Sequence, residues 1–203
     1  MSSQSLSRRR RRRLRSRLAT SSANLEEYLT SLGTHVAVGC NTSAQVARVA
    51  QLTQKTNQFN LTTRRYTETE IQERMQNPAW RVFWCSCRDN FADEGVIGVV
   101  LVEIQGGAWQ LDTFLMSCRV LGRGVEKALL GAVCKQAGES GASAVRGEFL
   151  RTAKNAQTEN FYETCGFTAV EKTADRSAWQ LTLPAPAGLI PPWITLHLAA
   201  PGA

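Results

Sequence analysis

The fold turns on residues 109 to 130, WQLDTFLMSCRVLGRGVEKALL. Trp109 to Met116 is a largely apolar run that suits a strand, Arg119-Val-Leu-Gly122-Arg-Gly124 is a glycine loop, and from Val125 the apolar residues recur at helical spacing. Gly122 and Gly124 let the backbone turn sharply and come close to a ligand, because neither carries a Cβ. The loop empties into a helix N-terminus, whose unpaired N–H groups and partial positive charge suit a phosphate. Arg119 and Arg123 can add charge beside them. Taken alone, such a loop is a weak signal, since glycines often do no more than turn a chain.

A second element stands downstream. Asn155-Ala-Gln-Thr-Glu-Asn-Phe161-Tyr162-Glu-Thr-Cys-Gly166-Phe167 reads as a short helix stopped by Gly166, with a strand starting at Phe167. Together the two segments resemble the GNAT superfamily of acyltransferases. Arg119, Gly122 and Gly124 match its Q/R-x-x-G-x-G/A pattern, and Asn155 and Tyr162 match N-x-x-A-x-x-F-Y. Thr158 departs from the pattern, standing where Ala is usual, and is small enough to keep the packing close. The resemblance implies an α/β (α+β) fold: a mixed, mostly antiparallel central sheet flanked by helices, with a V-shaped gap for coenzyme A. It implies that the loop (Arg119, Val120, Gly122, Arg123, Gly124) holds the pyrophosphate of acetyl-CoA or another acyl-CoA. The strand edge Leu115, Met116 and Cys118 would then pair with pantetheine, with Asn155 and Tyr162 facing the thioester.

A more specific likeness runs from about Leu25 to about Trp193. QLTQKTNQFNLTTRRYTETEI (51 to 71), DTFLMSCRVLGRGVE and TAKNAQTENFY are similar to the C-terminal domain of FkbH-like proteins. In these enzymes of polyketide assembly a HAD-type phosphatase domain precedes a GNAT-like domain, and three-carbon units are carried on an acyl carrier protein. The phosphatase half needs a D-x-D motif, which Asp89, Asp93, Asp112 and Asp175 do not form. The resemblance therefore implies a carrier protein or a small-molecule acceptor as partner, and makes the chain either the partner of a separately encoded HAD-type phosphatase or a remnant that has lost it.

At 203 residues, with 43% hydrophobic and 20% charged residues, the chain suits one globular domain with flanking extensions. The formal charge of +7 belongs to the tail: Arg8 to Arg13, Arg15 and Arg17 supply eight positives before the first acid, Glu26, leaving the remainder at −1. No aromatic residue sits among these arginines to stack on bases, which argues against a dedicated single-strand binder and leaves nucleic-acid binding a third reading resting on the tail alone. The tail lacks the apolar stretch of a secretory signal, and no run approaches a membrane span, so the expected location is cytoplasmic. Of the six cysteines only Cys85 and Cys87 are close together, and no second cluster completes a zinc site. Neither His35 nor His197 lies near a motif. No metal is expected.

Three segments follow: a Ser- and Arg-rich tail over 1–23, unstructured by composition; an acyltransferase-like domain over 24–183; and a Pro-rich segment over 184–203, wrapping the surface through Leu189, Ile190 and Trp193. Within the domain, Thr42 or Ser43 is placed to cap a helix carrying Val46, Val49 and Leu52. Thr67-Glu-Thr-Glu70 is a capping box for a helix ending before Pro78. Between them a polar stretch presents Lys55, Asn57, Gln58, Asn60, Arg64 and Arg65 to the acceptor side, or forms a hydrated loop. Arg81 to Arg88, Gly95 to Ile104 and Ala108 to Met116 read as an antiparallel meander, and Ala144 to Leu150 as a parallel strand beyond the helix.

Direct acyl transfer to an amine needs a held thioester, a base and an acid for the leaving thiolate. Tyr162 is the candidate acid, its phenol pKa of roughly 10 lying near that of a thiol. Asp112 and Glu148 are candidate bases on strands facing the gap, with Asp112 sharing the face of Phe114 and Met116. Two function classes remain: an acyltransferase, and a non-catalytic module that docks a carrier protein or its arm.

Overall fold

The computed structural model describes residues 25–199. The arginine-rich tail and the last four residues lie outside them.

The elements in chain order are α1 (Leu25–Ser31), β1 (Thr34–Cys40), α2 (Val46–Lys55), β2 (Phe59–Asn60), α3 (Glu68–Gln76), β3 (Trp80–Arg88), β4 (Asp93–Gln105), β5 (Ala108–Met116), α4 (Val125–Glu139), β6 (Ala144–Leu150), α5 (Phe161–Thr164), β7 (Thr168–Lys172), β8 (Arg176–Thr182) and β9 (Ile194–Leu198). The sheet runs β7-β8-β6-β5-β4-β3-β1-β9, with β2 on β5 beside this path. Neighbours are antiparallel except β5 with β6 and β1 with β9. The meander thus forms as its alternating strands and Gly-rich turn require, and β6 returns parallel after α4.

One face of the sheet packs on α4, α5 and the C-terminal segment, through Phe83, Val100, Leu111, Phe114, Met116, Leu129 and Phe149. The other packs on α2 and α3, through Val49, Leu52, Ile71, Val99, Leu101 and Leu115. The capping box at Thr67 forms, each partner's side chain bonding the other's backbone. The cap at Thr42 or Ser43 does not: a 3-10 turn over Ser43–Gln45 leads into α2, and neither Thr42 nor Gln45 makes a side-chain cap bond. The helix at Asn155 is also shorter than expected, reduced to a 3-10 turn at Ala156–Thr158 and the four-residue α5. Beyond the prolines, Ile194–Leu198 is a strand that the sequence reading does not contain; it pairs parallel with β1.

Two irregularities of β5 shape the site. Leu101 pairs with Thr113 and Val102 with Leu111, so Asp112 is the extra residue of a β-bulge. Leu111, Phe114 and Met116 therefore share the α4 face, while Asp112 reaches Tyr66 on the other side. This corrects the expectation that Asp112 shares their face. Second, β5 pairs with β6 only from Ala108 to Leu111. Beyond that point the two strands part, as expected, but the gap is not open.

Candidate functional site

Residues 59 to 62 run into the gap between β5 and β6. Phe59 and Asn60 pair antiparallel with Met116 and Leu115. Leu61 N donates to Phe114 O at 3.0 Å, and Leu150 N of β6 donates to Leu61 O at 2.8 Å. The segment therefore bridges both strands. Thr62 Oγ1 donates to Asp112 O at 2.9 Å. Phe59 packs edge-on against Phe161, and both lie against Phe114. The Leu115 and Met116 edge, expected to be free for pantetheine, is thus taken by the chain itself. The polar stretch is only partly hydrated: Lys55 and Gln58 are exposed, but Asn60 is fully buried, and Arg65 bonds Thr53 O, Thr56 O and Asn57 Oδ1.

Asn155 holds this arrangement. Fully buried, it donates through Nδ2 to Asn60 O and Leu150 O, both at 2.9 Å, and accepts from Thr152 N at 2.7 Å. Tyr162 lies in the core against Phe161, Phe167 and Trp179. A Cβ at Gly147 would overlap its ring, so glycine is what lets the tyrosine sit on β6. Its hydroxyl has no partner, and burial raises its pKa well above the ordinary phenol value. The match to a thiol expected from sequence is lost, because burial favours the protonated form.

The two candidate bases share one arginine. Arg64 forms ion pairs with Asp112 and with Glu148, the latter at 3.4 Å. Asp112 also accepts from Tyr66 Oη at 2.6 Å and Thr113 Oγ1 at 2.9 Å. Burial, and then the bond to Asp112, pushes the Tyr66 hydroxyl up to about 12. Glu148 bonds Arg176 at 2.6 Å as well. Arg64 was expected on the acceptor side, but its pairing with the two carboxylates, and Tyr66 altogether, were not legible from sequence, because these contacts span 46 to 84 residues.

At the glycine loop, Gly122 and Gly124 adopt φ of +76° and +83°. A Cβ on Gly122 would meet nothing within 4 Å, so the backbone angle alone calls for glycine there; at Gly124 it would also strike Pro191. Gly124 is the N-cap of α4. The loop arginines are both ion-paired with acids of the β3–β4 region. Arg119 bonds Glu94 at 3.3 Å and Ser117 at 3.2 Å. Arg123, buried, pairs with Asp89 and donates to Cys87 Sγ. Val120 is core, and Cys118 is exposed beside a separate cavity with Arg48, Lys55 and Gln58. Glu126, in the first turn of α4, was passed over in the sequence although an acid at a phosphate-binding helix start is itself a signal.

One cleft joins the two motifs. Phe59, Leu121, Gly122, Glu126, Lys127, Gln157, Asn160, Phe161 and Thr164 are among the residues that line a space of about 280 Å³. Tyr162, Asp112 and Glu148 are not among them. The volume lies just below the roughly 300–1,000 Å³ of pockets for drug-sized ligands, so it suits a slender arm better than a nucleotide. Among the described residues no group of three or more His, Cys, Asp or Glu is placed to hold a metal. No helix there is long and apolar enough to cross a membrane.

A mixed sheet whose parallel and antiparallel halves part beside a glycine loop and a helix start defines an acyltransferase-type fold. Residues 46–167 match the acetyltransferase (GNAT) family, and the chain belongs to that family of acyltransferases. Solved structures share the fold at low identity. The ribosomal-protein-S18-alanine N-acetyltransferase of Escherichia coli aligns at 14% identity and TM-score 0.57, over 75% of this chain and 96% of its own. Ard1 from Thermoplasma volcanium aligns at 17% and 0.55, over 72% and 97%. A variant of the spermidine N-acetyltransferase SpeG of Vibrio cholerae aligns at 12% and 0.53, over 72% and 93%. No curated protein matches the sequence significantly.

The residues present fit a pantetheine arm, which the cleft can seat along Leu121, Gly122, Asn160 and Thr164. A pyrophosphate at the loop would meet Glu126 in the first turn of the helix, where Arg119 and Arg123 are already ion-paired.

Proposed function

We propose that this domain transfers an acyl group, delivered as a thioester on the phosphopantetheine of an acyl carrier protein or of an acyl-CoA, to a small-molecule acceptor in polyketide or related secondary-metabolite biosynthesis. The observation that carries this reading is the single cleft shared by the glycine loop and the Asn155–Thr164 segment. The bound arm would supply an activated carbonyl. Glu148, half-buried at the far side of the gap, is assigned to take the acceptor's proton, oriented by Arg64 and Arg176. Asp112 positions Arg64. Tyr162 donates a hydrogen bond to the leaving sulfur. Because residues 59–61 bridge β5 and β6, turnover on this path requires that segment to withdraw from the gap.

The same bridge favours a second reading, a module that docks the carrier and its arm without turnover. Calorimetry with acetyl-CoA, coenzyme A and phosphopantetheinylated carrier protein separates the two, using wild type, Gly122→Glu and Tyr162→Phe. Arm binding lost in Gly122→Glu, with thioester consumed only when Tyr162 is present, supports the transferase. Carrier binding without thioester consumption leaves the docking module.

A further inference from the structure

The first turn of α4 carries an acid of unusual setting. Glu126 lies two residues past the N-cap Gly124 and lines the cleft beside Gly122 and Lys127. A first-turn glutamate that merely matches the helix dipole sits in water. This one has Oε2 fully buried without a hydrogen-bond partner. Burial raises its pKa, opposed first by its own backbone N–H, then by the charge of Lys127, the backbone N–H of Gly124 and the charge of Arg123. The carboxyl group thus takes N–H groups that an anion at this helix start would use.

Lys127 and Arg123 partly offset the shift in Glu126, but by less than burial raises it. Arg119 is paired with Glu94 and Arg123 with Asp89, both on the β3–β4 side of the loop. Lys127 is the basic side chain among those lining the cleft. A neutral pantetheine meets no like charge there; a pyrophosphate meets Glu126 directly, in a half-buried setting where screening by salt is weak.

We propose that Glu126 sets the donor preference of this cleft: it admits a pantetheine arm and rejects the pyrophosphate of coenzyme A, so that the acyl donor is carrier-borne. The proposal rests on the reading of the cleft as a phosphopantetheine site and deepens it.

The test is calorimetry on the full chain with three probes: pantetheine, 4′-phosphopantetheine and dephospho-coenzyme A, which carries the pyrophosphate without the 3′-phosphate. Wild type should bind pantetheine more tightly than dephospho-coenzyme A. Glu126→Gln should gain about ten-fold or more for dephospho-coenzyme A, about 1.4 kcal/mol, and stay within about two-fold for pantetheine. Glu126→Ala serves as a second variant, with thermal unfolding confirming that each is folded. Dephospho-coenzyme A binding that is as tight as pantetheine in wild type, or unchanged in both variants, overturns the proposal. The readings fail separately: pantetheine bound by no variant while the dephospho-coenzyme A gain appears would sink the arm site and keep the role of Glu126.

Discussion

The Tyr162 hydroxyl is buried without a partner, a state that ordinarily costs about 1–3 kcal/mol. Tyr162→Phe should therefore leave stability unchanged or raise it by about 1 kcal/mol, as read by urea denaturation. A loss larger than about 1 kcal/mol would reveal a partner for the hydroxyl. With stability held, any fall in thioester consumption is then chemical and not structural. Glu126 gives a second residue-scale test. Its folded pKa lies above its ordinary 4.5, because burial disfavours the charged form. Such a group binds its proton more tightly when folded, so its stabilisation is complete below 4.5 and lost as pH rises through the folded value. The melting temperature of Glu126→Gln relative to wild type should accordingly climb as the pH rises above 4.5. A difference that stays flat with pH would show the carboxyl to be solvated. The glycines of the loop were legible as glycines, but the partners of its arginines were not. Asp89 and Glu94 lie 34 and 25 residues upstream of their arginines, and only the pairing of strands brings them to the loop.

At the scale of elements, β3 to β6 and α4 were legible because alternation and helical period survive wherever one face is buried. β2 was not. Its only trace is Phe59 and Leu61, two apart within a polar stretch, too short to register as a strand. β9 leaves a clearer signature in Ile194, Leu196 and Leu198, masked by the prolines before it. The bulge at Asp112 has no local signal, since one extra residue in a strand looks like any other; it alone moved a candidate base to the other face. What keeps β2 in the gap is Asn155, through one amide to Asn60 O and Leu150 O. Asn155→Ala leaves both carbonyls and Thr152 N short of a partner, and should cost about 2–4 kcal/mol. The loss should be local first. The Leu61 amide, bonded to Phe114 O, should exchange about ten-fold faster relative to amides of α4. Equal loosening of both would mean that β2 is no separate unit.

Across the whole molecule, Arg123 joins parts of the chain that sequence holds far apart. Its guanidinium pairs with Asp89 at the end of β3, and its carbonyl accepts from Trp193 Nε1 at 2.9 Å, so loop, meander and C-terminal segment meet at one residue. Arg123 and Asp89 are 8% and 1% exposed in their side chains, so the pair is desolvated on both sides. Removing one partner of such a pair typically costs about 3–5 kcal/mol, because the survivor is a buried charge. Asp89→Asn is the cleaner substitution. Asp89 Oδ1 also accepts from Phe91 N and Ala92 N, which asparagine can still satisfy while losing the charge. Asp89→Asn should therefore lower stability by about 3 kcal/mol, and pairing it with Arg123→Met should recover part of that loss in a double-mutant cycle. The same Arg123→Met variant decides what the arginine is for. Turned toward Asp89 and away from the cleft, it should leave 4′-phosphopantetheine affinity within about two-fold at a temperature where the variant is folded. A large drop would return Arg123 to the phosphate and reopen the loop as a coenzyme A site; an unchanged affinity makes the arginine a brace that fixes the loop for an arm it does not touch.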